Sequence, residues 1–241
     1  MHSKVNVLGI PVDSITMESA VAKIETFIQD SEPHLIATAN AEMVMMAQQD
    51  SELRNILSSA SLVVPDGAGV VWAARYQGKQ VYERVAGFDL TQKLLAEAGK
   101  KGYRIYLFGA GPGVAVKAKQ TAEELYPGIN IIKTRDGYFS AADENEIIED
   151  ISQAQPHILL VALGVPKQEK WLSRNLKRLQ VPVCIGVGGT LDVMAGTVKR
   201  APLWMQQANL EWLYRLLKQP QRAIRMLALP RFVLKVILDK K

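Results

Sequence analysis

Seven short runs of mostly β-branched and aromatic residues punctuate the chain, at 5–8, 35–38, 62–64, 104–108, 129–132, 158–161 and 183–187. Between them the apolar positions fall into a helical period, as at 17–29, 89–98 and 114–126, the last stopped by Pro127-Gly128. Strands alternating with helices predict an α/β sandwich around a parallel sheet. Burial of the sheet on both faces explains why the runs are nearly continuous in apolar character. In open sheets of this kind ligands bind beyond the carboxyl ends of the strands. Those ends read Thr38-Ala39-Asn40, Pro65-Asp66-Gly67, Gly109-Ala110-Gly111, Gly164-Val165-Pro166-Lys167-Gln168 and Gly188-Gly189-Thr190, so polar groups and glycines gather there.

Near Gly196 the alternation gives way to helix interrupted by Pro202, Pro220 and Pro230, which predicts three short helices opening near those prolines. We therefore divide the chain into an α/β body, 1–195, and a helical appendage, 196–241. Charge sharpens this division. The appendage holds ten basic residues and two acidic ones, a surplus of eight; the whole chain is +5, so the body is slightly acidic at −3. Trp204, Trp212, Leu213, Leu216, Leu217, Leu227 and Phe232 lie among those charges. A basic segment of this type suits an anionic membrane surface. It contains no recognisable nucleic-acid-binding motif, so nucleic acid is not an expected partner. The longest apolar stretches, 158–165 and 232–238, fall well short of the roughly 18 residues of a membrane span. A tail this apolar also suits packing between copies of the chain, so a homo-oligomer is a further expectation. The single cysteine, Cys184, excludes an internal disulfide, and the N-terminus lacks a long apolar leader; both fit a reducing, cytoplasmic setting.

The residues at the strand ends each admit two readings. Gly109 to Gly113 follows a strand and precedes a helix, and its backbone N–H groups would suit a diphosphate. A tight turn with no ligand accounts for it equally well, and the third glycine comes one residue too early for a dinucleotide fingerprint. That spacing leaves a nucleotide-dependent oxidoreductase as the weaker alternative. Asp66, among small residues, has the placement of a general base, whereas its spacing alone slightly favours a cap on a helix starting near Gly69. Asn40 and Gln168 are amides suited to sugar hydroxyls or phosphate oxygens. Arg84 could clamp a phosphate or pair with Glu83 or Asp89. Arg215, Lys218, Arg222 and Arg225 would share one face if a helix ran through Pro220. The three histidines are widely separated with no cysteine partner, and no Asp-x-Asp pair occurs, so no metal site and no cofactor are expected.

Taken together, several strings resemble one family. They are Pro65-Asp66-Gly67-x-Gly69, Arg84-Val85-x-Gly87-x-Asp89-Leu90, Leu163-Gly164-x-Pro166-x-Gln168-Glu169-x-Trp171, Gly186-Val187-Gly188 with Asp192 and Ala195-Gly196, Arg200-Ala201-Pro202, and Leu210-Glu211-Trp212-x-x-Arg215. The chain is similar over almost its whole length to the WecG/TagA/CpsF glycosyltransferases. That resemblance implies a Rossmann-like fold and metal-independent, inverting transfer of a sugar from a UDP-sugar to undecaprenyl-diphosphate-linked N-acetylglucosamine. The reaction would take place at the cytoplasmic face of the membrane, with the protein bound peripherally. In the teichoic-acid branch the donor is UDP-N-acetylmannosamine; its uronic acid or glucose are the alternatives. The resemblance also implies Asp66 as the base, Thr38, Asn40 and Gln168 lining the pocket, and Tyr138 and Asp192 at the uridine end. Arg215, Arg222 and Arg225 would reach over the site once the tail meets the membrane.

Overall fold

In a computed structural model the protein is described over residues 3–30, 32–220 and 223–239. A parallel six-stranded sheet has the order β4-β3-β8-β7-β5-β6. Its strands are β3 (His34–Ala39), β4 (Leu62–Pro65), β5 (Arg104–Gly109), β6 (Asn130–Arg135), β7 (Ile158–Ala162) and β8 (Val183–Gly186). Successive residues of these strands enter opposite cores. Tyr106, Phe108, Leu159, Val161 and Cys184 face one layer, while Ile105, Leu107, Ile158, Leu160 and Ile185 face the other. This period-two division into two apolar layers is why the strands other than edge strand β6 read as nearly unbroken apolar runs.

One layer holds α1 (Met17–Ile28), α5 (Gly87–Lys101), α6 (Val114–Leu125) and α9 (Thr190–Met194). The other holds α2 (Ala41–Ala47), α3 (Ser51–Ser59), α4 (Ala68–Tyr76), α7 (Glu144–Ala154) and α8 (Lys167–Leu179). Local signals set the ends of these helices. Thr16, Asn40 and Asp50 accept from backbone N–H groups as N-caps of α1, α2 and α3, and α5 ends at Gly102 in the left-handed region. The expected helices at 17–29, 89–98 and 114–126 correspond to α1, α5 and α6.

The first apolar run departs from the expectation. Residues Lys4–Val7 form β1, which pairs with β2 (Ile10–Asp13) in an antiparallel hairpin and stays outside the parallel sheet. The hairpin covers an edge: buried Asp13 accepts a hydrogen bond from the Val63 N–H of β4 at 2.9 Å. An unpaired donor on an edge strand is thereby satisfied from within the chain.

The appendage also differs. Among the described residues it forms four α-helices: α10 (Leu203–Gln207), α11 (Glu211–Lys218), α12 (Ala223–Met226) and α13 (Ala228–Leu238). Only Pro202 sits at a helix start; Pro220 follows α11, and Pro230 is the third residue of α13. The last helix packs on α2 and α4, burying Phe232 and Val236 in the body's own core. The tail is thus anchored to the body. No helix among the described residues is long and apolar enough to cross a membrane.

The Phe232 ring lies against Gly69, in the first turn of α4, where a Cβ would come within 3.7 Å of it. Phe232→Ala should lower the unfolding free energy by about 3–5 kcal/mol, the usual cost of emptying a buried aromatic site. Urea unfolding of the full chain checks this, and a loss below about 1 kcal/mol would show that the tail is not anchored there.

Candidate active site

The chain leaves β4 at Pro65, and the Asp66 N–H donates to the carbonyls of Ala39 (2.9 Å) and Val64 (3.0 Å). Gly67 then turns through φ +94° and stands as N-cap of α4 with no side-chain cap bond, so Asp66 is not the helix cap that spacing alone favoured. The Asp66 carboxylate accepts instead from the N–H of Gly87, the first residue of α5. That helix has no side-chain cap of its own. A donor that every helix start leaves unpaired is therefore directed at a carboxylate. Close approach requires glycine here: a Cβ on Gly87 would lie 3.0 Å from Thr38 Cγ2.

Asp66 lines a cleft of about 500 Å³ whose two sides differ in character. Asn40, Arg84, Arg215 and Arg225 supply the polar side; Trp212, Met226, Leu229, Pro230, Phe232 and Val233 supply an apolar one. Burial raises the Asp66 pKa from 3.8 to about 6, against the pull of Arg215, Arg84 and the Gly87 N–H. Glu211 pushes it further up. Such a carboxylate is ionised at neutral pH and is a stronger base than a solvated one. The Asn40 Oδ1 is committed to the Met43 N–H at 2.9 Å, so its NH₂ is the end that can serve a ligand.

The expected partners of Arg84, Glu83 and Asp89, are replaced by groups from the tail. Arg84 donates to Glu211 and, at 3.2 Å, to Asn209 Oδ1. Glu211 also accepts from Arg200 Nε (3.3 Å), and Arg200 grips both oxygens of Asp89 at 2.6 and 2.9 Å while its guanidinium lies 4.6 Å from the Phe88 ring centre. Glu83 accepts from the Met17 N–H. Arg225 Nε lies 3.4 Å from Glu42 Oε1. Arg215 and Arg225 thus stand at the Asp66 cleft in the chain alone, with no membrane needed to bring them there. Arg222 lies outside the described residues.

A second cleft, about 650 Å³, opens at the ends of β5 and β7 and is lined by Gly111, Tyr138, Ser140, Asp143, Lys167 and Asp192. Tyr138 is 76% exposed, an open ring face. Gly109 itself lines neither cleft: a Cβ there would sit 2.5 Å from the Ala162 carbonyl, so strand packing alone demands glycine at φ +119°. Thr38 and Gln168, expected in the pocket, are buried and line neither cleft. Gln168 Oε1 accepts from the N–H groups of Gly164 (3.1 Å) and Gly188 (3.0 Å). It therefore clamps the loops after β7 and β8, strands that lie between β3 and β5 in the sheet. Among the described residues no group of three His, Cys, Asp or Glu side chains could hold a metal ion.

Sequence reasoning did not single out Arg200, Asn209, Glu211 or Lys167 as site residues. Glu211 carried a signal, as one of two acids in a strongly basic segment. Lys167 had one too, since it opens a helix directly after a strand end.

The family model described as the glycosyl transferase WecG/TagA/CpsF family matches residues 5–241. A Bacillus subtilis protein named N-acetylglucosaminyldiphosphoundecaprenol N-acetyl-beta-D-mannosaminyltransferase is 37% identical over 234 residues, covering 97% of this chain and 91% of its own. The protein of the same name from Bacillus spizizenii is 37% identical over 227 residues, covering 94% and 87%. The one from Staphylococcus aureus is 33% identical over 241 residues, covering 99% and 94%. With the sheet, the carboxylate cleft and these relatives in view, the chain belongs to the WecG/TagA/CpsF family of glycosyltransferases.

Proposed function

We propose that the protein transfers N-acetylmannosamine from UDP-N-acetylmannosamine to undecaprenyl-diphosphate-linked N-acetylglucosamine, inverting the configuration at the transferred carbon. The observation that carries this reading is Asp66 in a cleft with arginines on one side and hydrocarbon on the other. That combination fits an acceptor that is anionic at its diphosphate and apolar in its lipid. Arg84, Arg215 and Arg225 would hold the diphosphate, and the surface from Met226 to Val233 would take the start of the lipid chain. The names of the relatives agree with this acceptor.

Asp66 would accept the proton of the acceptor hydroxyl as its oxygen forms a bond to the sugar's anomeric carbon. The bond from that carbon to the UDP oxygen breaks on the opposite face, and its electron pair leaves with UDP. Tyr138 and Asp192 would receive the uridine, and Lys167 with the Gly111 backbone would offset the charge of the departing diphosphate. Cationic side chains would fill the role that a divalent ion plays in other transferases.

Loss of a general base typically costs about 10² to 10⁴ in rate, and Asp66→Asn should fall by that factor in kcat. The parent's kcat/KM should decline below pH about 6, because protonated Asp66 cannot take the hydroxyl proton. The folded state holds this proton more tightly than the unfolded chain, so ionising Asp66 costs stability as pH rises from 3.8 towards 6. Asp66→Asn should therefore be more stable than the parent at pH 8, by ~1–2 kcal/mol. A folded Asp66→Asn protein with near-parental turnover would remove Asp66 from the mechanism.

The donor is tested by offering UDP-N-acetylmannosamine, its uronic acid and UDP-glucose with a short-chain lipid-diphosphate N-acetylglucosamine, reading released UDP with and without EDTA. We expect turnover with the first and no loss in EDTA. Turnover confined to another donor, or activity restored only by Mg²⁺ or Mn²⁺, would overturn the donor or the metal-free assignment.

We infer peripheral binding at the cytoplasmic membrane face from Leu203, Trp204, Leu217, Leu234 and Leu238, all exposed beside Lys199, Lys218, Arg231 and Lys235. Each basic residue near an anionic surface contributes roughly 1 kcal/mol, weakened by salt. Sedimentation with phosphatidylglycerol vesicles should be strong at low salt and lost at high salt. Binding that ignores both salt and lipid charge would contradict it.

A further inference from the structure

Among the described residues one buried carboxyl, unused by the proposed chemistry, has an oxygen that no hydrogen bond satisfies. Glu169 is 1% exposed, and so is Gln168 beside it. Gln168 Nε2 donates to Glu169 Oε1 at 2.8 Å. The second Glu169 oxygen, Oε2, is buried without a hydrogen-bond partner. Burial lifts this carboxyl from 4.5 to about 7, opposed by the Gln168 amide. A polar group in such a position costs stability unless it fixes something.

What it fixes is the direction of an amide. A glutamine side chain can be turned by half a revolution about its last bond, exchanging its oxygen and its NH₂. With the oxygen toward Gly164 and Gly188, both loop N–H groups are satisfied; with the NH₂ there, two donors would face two donors. Glu169 removes that ambiguity, because in either protonation state its Oε1 accepts and so holds Nε2 on its own side. The pair is packed against the end of β8, where only glycine leaves room for it: a Cβ on Gly186 would meet Gln168 Nε2 at 2.6 Å and Glu169 Oε1 at 3.0 Å. Gly164 at φ +77° and Gly188 at φ +52° turn their loops through conformations that side-chain-bearing residues rarely adopt.

The two loops continue into the second cleft. The loop after β7 supplies Leu163 to its lining and leads into Lys167 at the start of α8, and the loop after β8 leads within four residues of Gly188 to Asp192 in α9. We infer that Glu169 is a positioning residue: by orienting the Gln168 amide it sets the spacing of the two loops that carry Lys167 and Asp192, and so shapes the site for the anionic donor. This rests on the second cleft being the nucleotide end, as proposed above.

The test is an exchange of the two side chains in the full-length protein, which keeps size nearly constant. Gln168→Glu places two carboxyl groups in contact and, once both are ionised, leaves no donor between them. Glu169→Gln keeps an acceptor toward Gln168. The double variant Gln168→Glu/Glu169→Gln restores one donor and one acceptor in reversed order, leaving an oxygen for Gly164 and Gly188. We expect the affinity for UDP, measured by titration, to fall at least tenfold in Gln168→Glu, to stay within about threefold in Glu169→Gln, and to recover at least fivefold in the double variant. Backbone amide exchange at Gly164 and Gly188 should follow the same order, rising most in Gln168→Glu. A double variant as impaired as Gln168→Glu, beside an unimpaired Glu169→Gln, would overturn the inference, because Gln168 would then act without Glu169. Recovered amide protection without recovered UDP affinity would also overturn it. The exchange readout needs no nucleotide: a parent protein that binds no UDP but shows the expected exchange order would refute the nucleotide reading and leave the amide clamp standing.

Discussion

The site depends on a chain of ion pairs that ties the tail to the start of α5. Asp89 holds Arg200, Arg200 and Arg84 share Glu211, and Arg84 reaches Asn209. The side chains of Arg84, Arg200 and Glu211 are 20%, 21% and 18% exposed, well short of free in solvent. Pairs of this kind contribute little net stability once desolvation is counted, yet breaking one leaves a charge without its partner. Their consequence is geometric. Arg215 stands one helical turn beyond Glu211 on α11, so fixing Glu211 directs Arg215 toward the carboxylate that Gly87, two residues before Asp89, already holds.

The body and the tail therefore make one site from two kinds of material. The body gives rigid strand ends, where Asp66 and Asn40 are placed by backbone hydrogen bonds and a helix cap. The tail adds Arg215 and Arg225 to the body's Arg84 and supplies the apolar side, held down by Phe232 and Val236 in the core shared with α2 and α4. Burying a carboxylate at the strand ends opposes folding at neutral pH, and the core beneath compensates for it. Perturbed groups of this sort concentrate where chemistry happens.

Much of this was legible along the chain. Continuous apolar runs marked the buried parallel strands because both faces of the sheet are covered. Their carboxyl ends marked Asp66, Asn40 and Gly111. The first run misled because Val5, Asn6 and Val7 alternate, the pattern of a hairpin strand with one face exposed, and Asn6 Oδ1 accepts from the Gly9 N–H to close the turn. The partners of Arg84 were not readable, since they lie 125 and 127 residues away and only the folded tail delivers them. Gln168, expected at a strand end, lies in the first turn of α8 beyond β7, and its direction was not readable: whether its amide faces a ligand or two glycine N–H groups depends on loop turns that spacing does not report.

The site rests on Asp66 being a partly buried, desolvated carboxylate under a cation from the tail. Its carboxyl carbon can be followed by NMR titration in the parent and in Arg215→Ala. The expected midpoint is near 6 in the parent and moves higher when Arg215 is removed, because a charge that favours the ionised form is gone. A midpoint near 4, unchanged by the substitution, would contradict it.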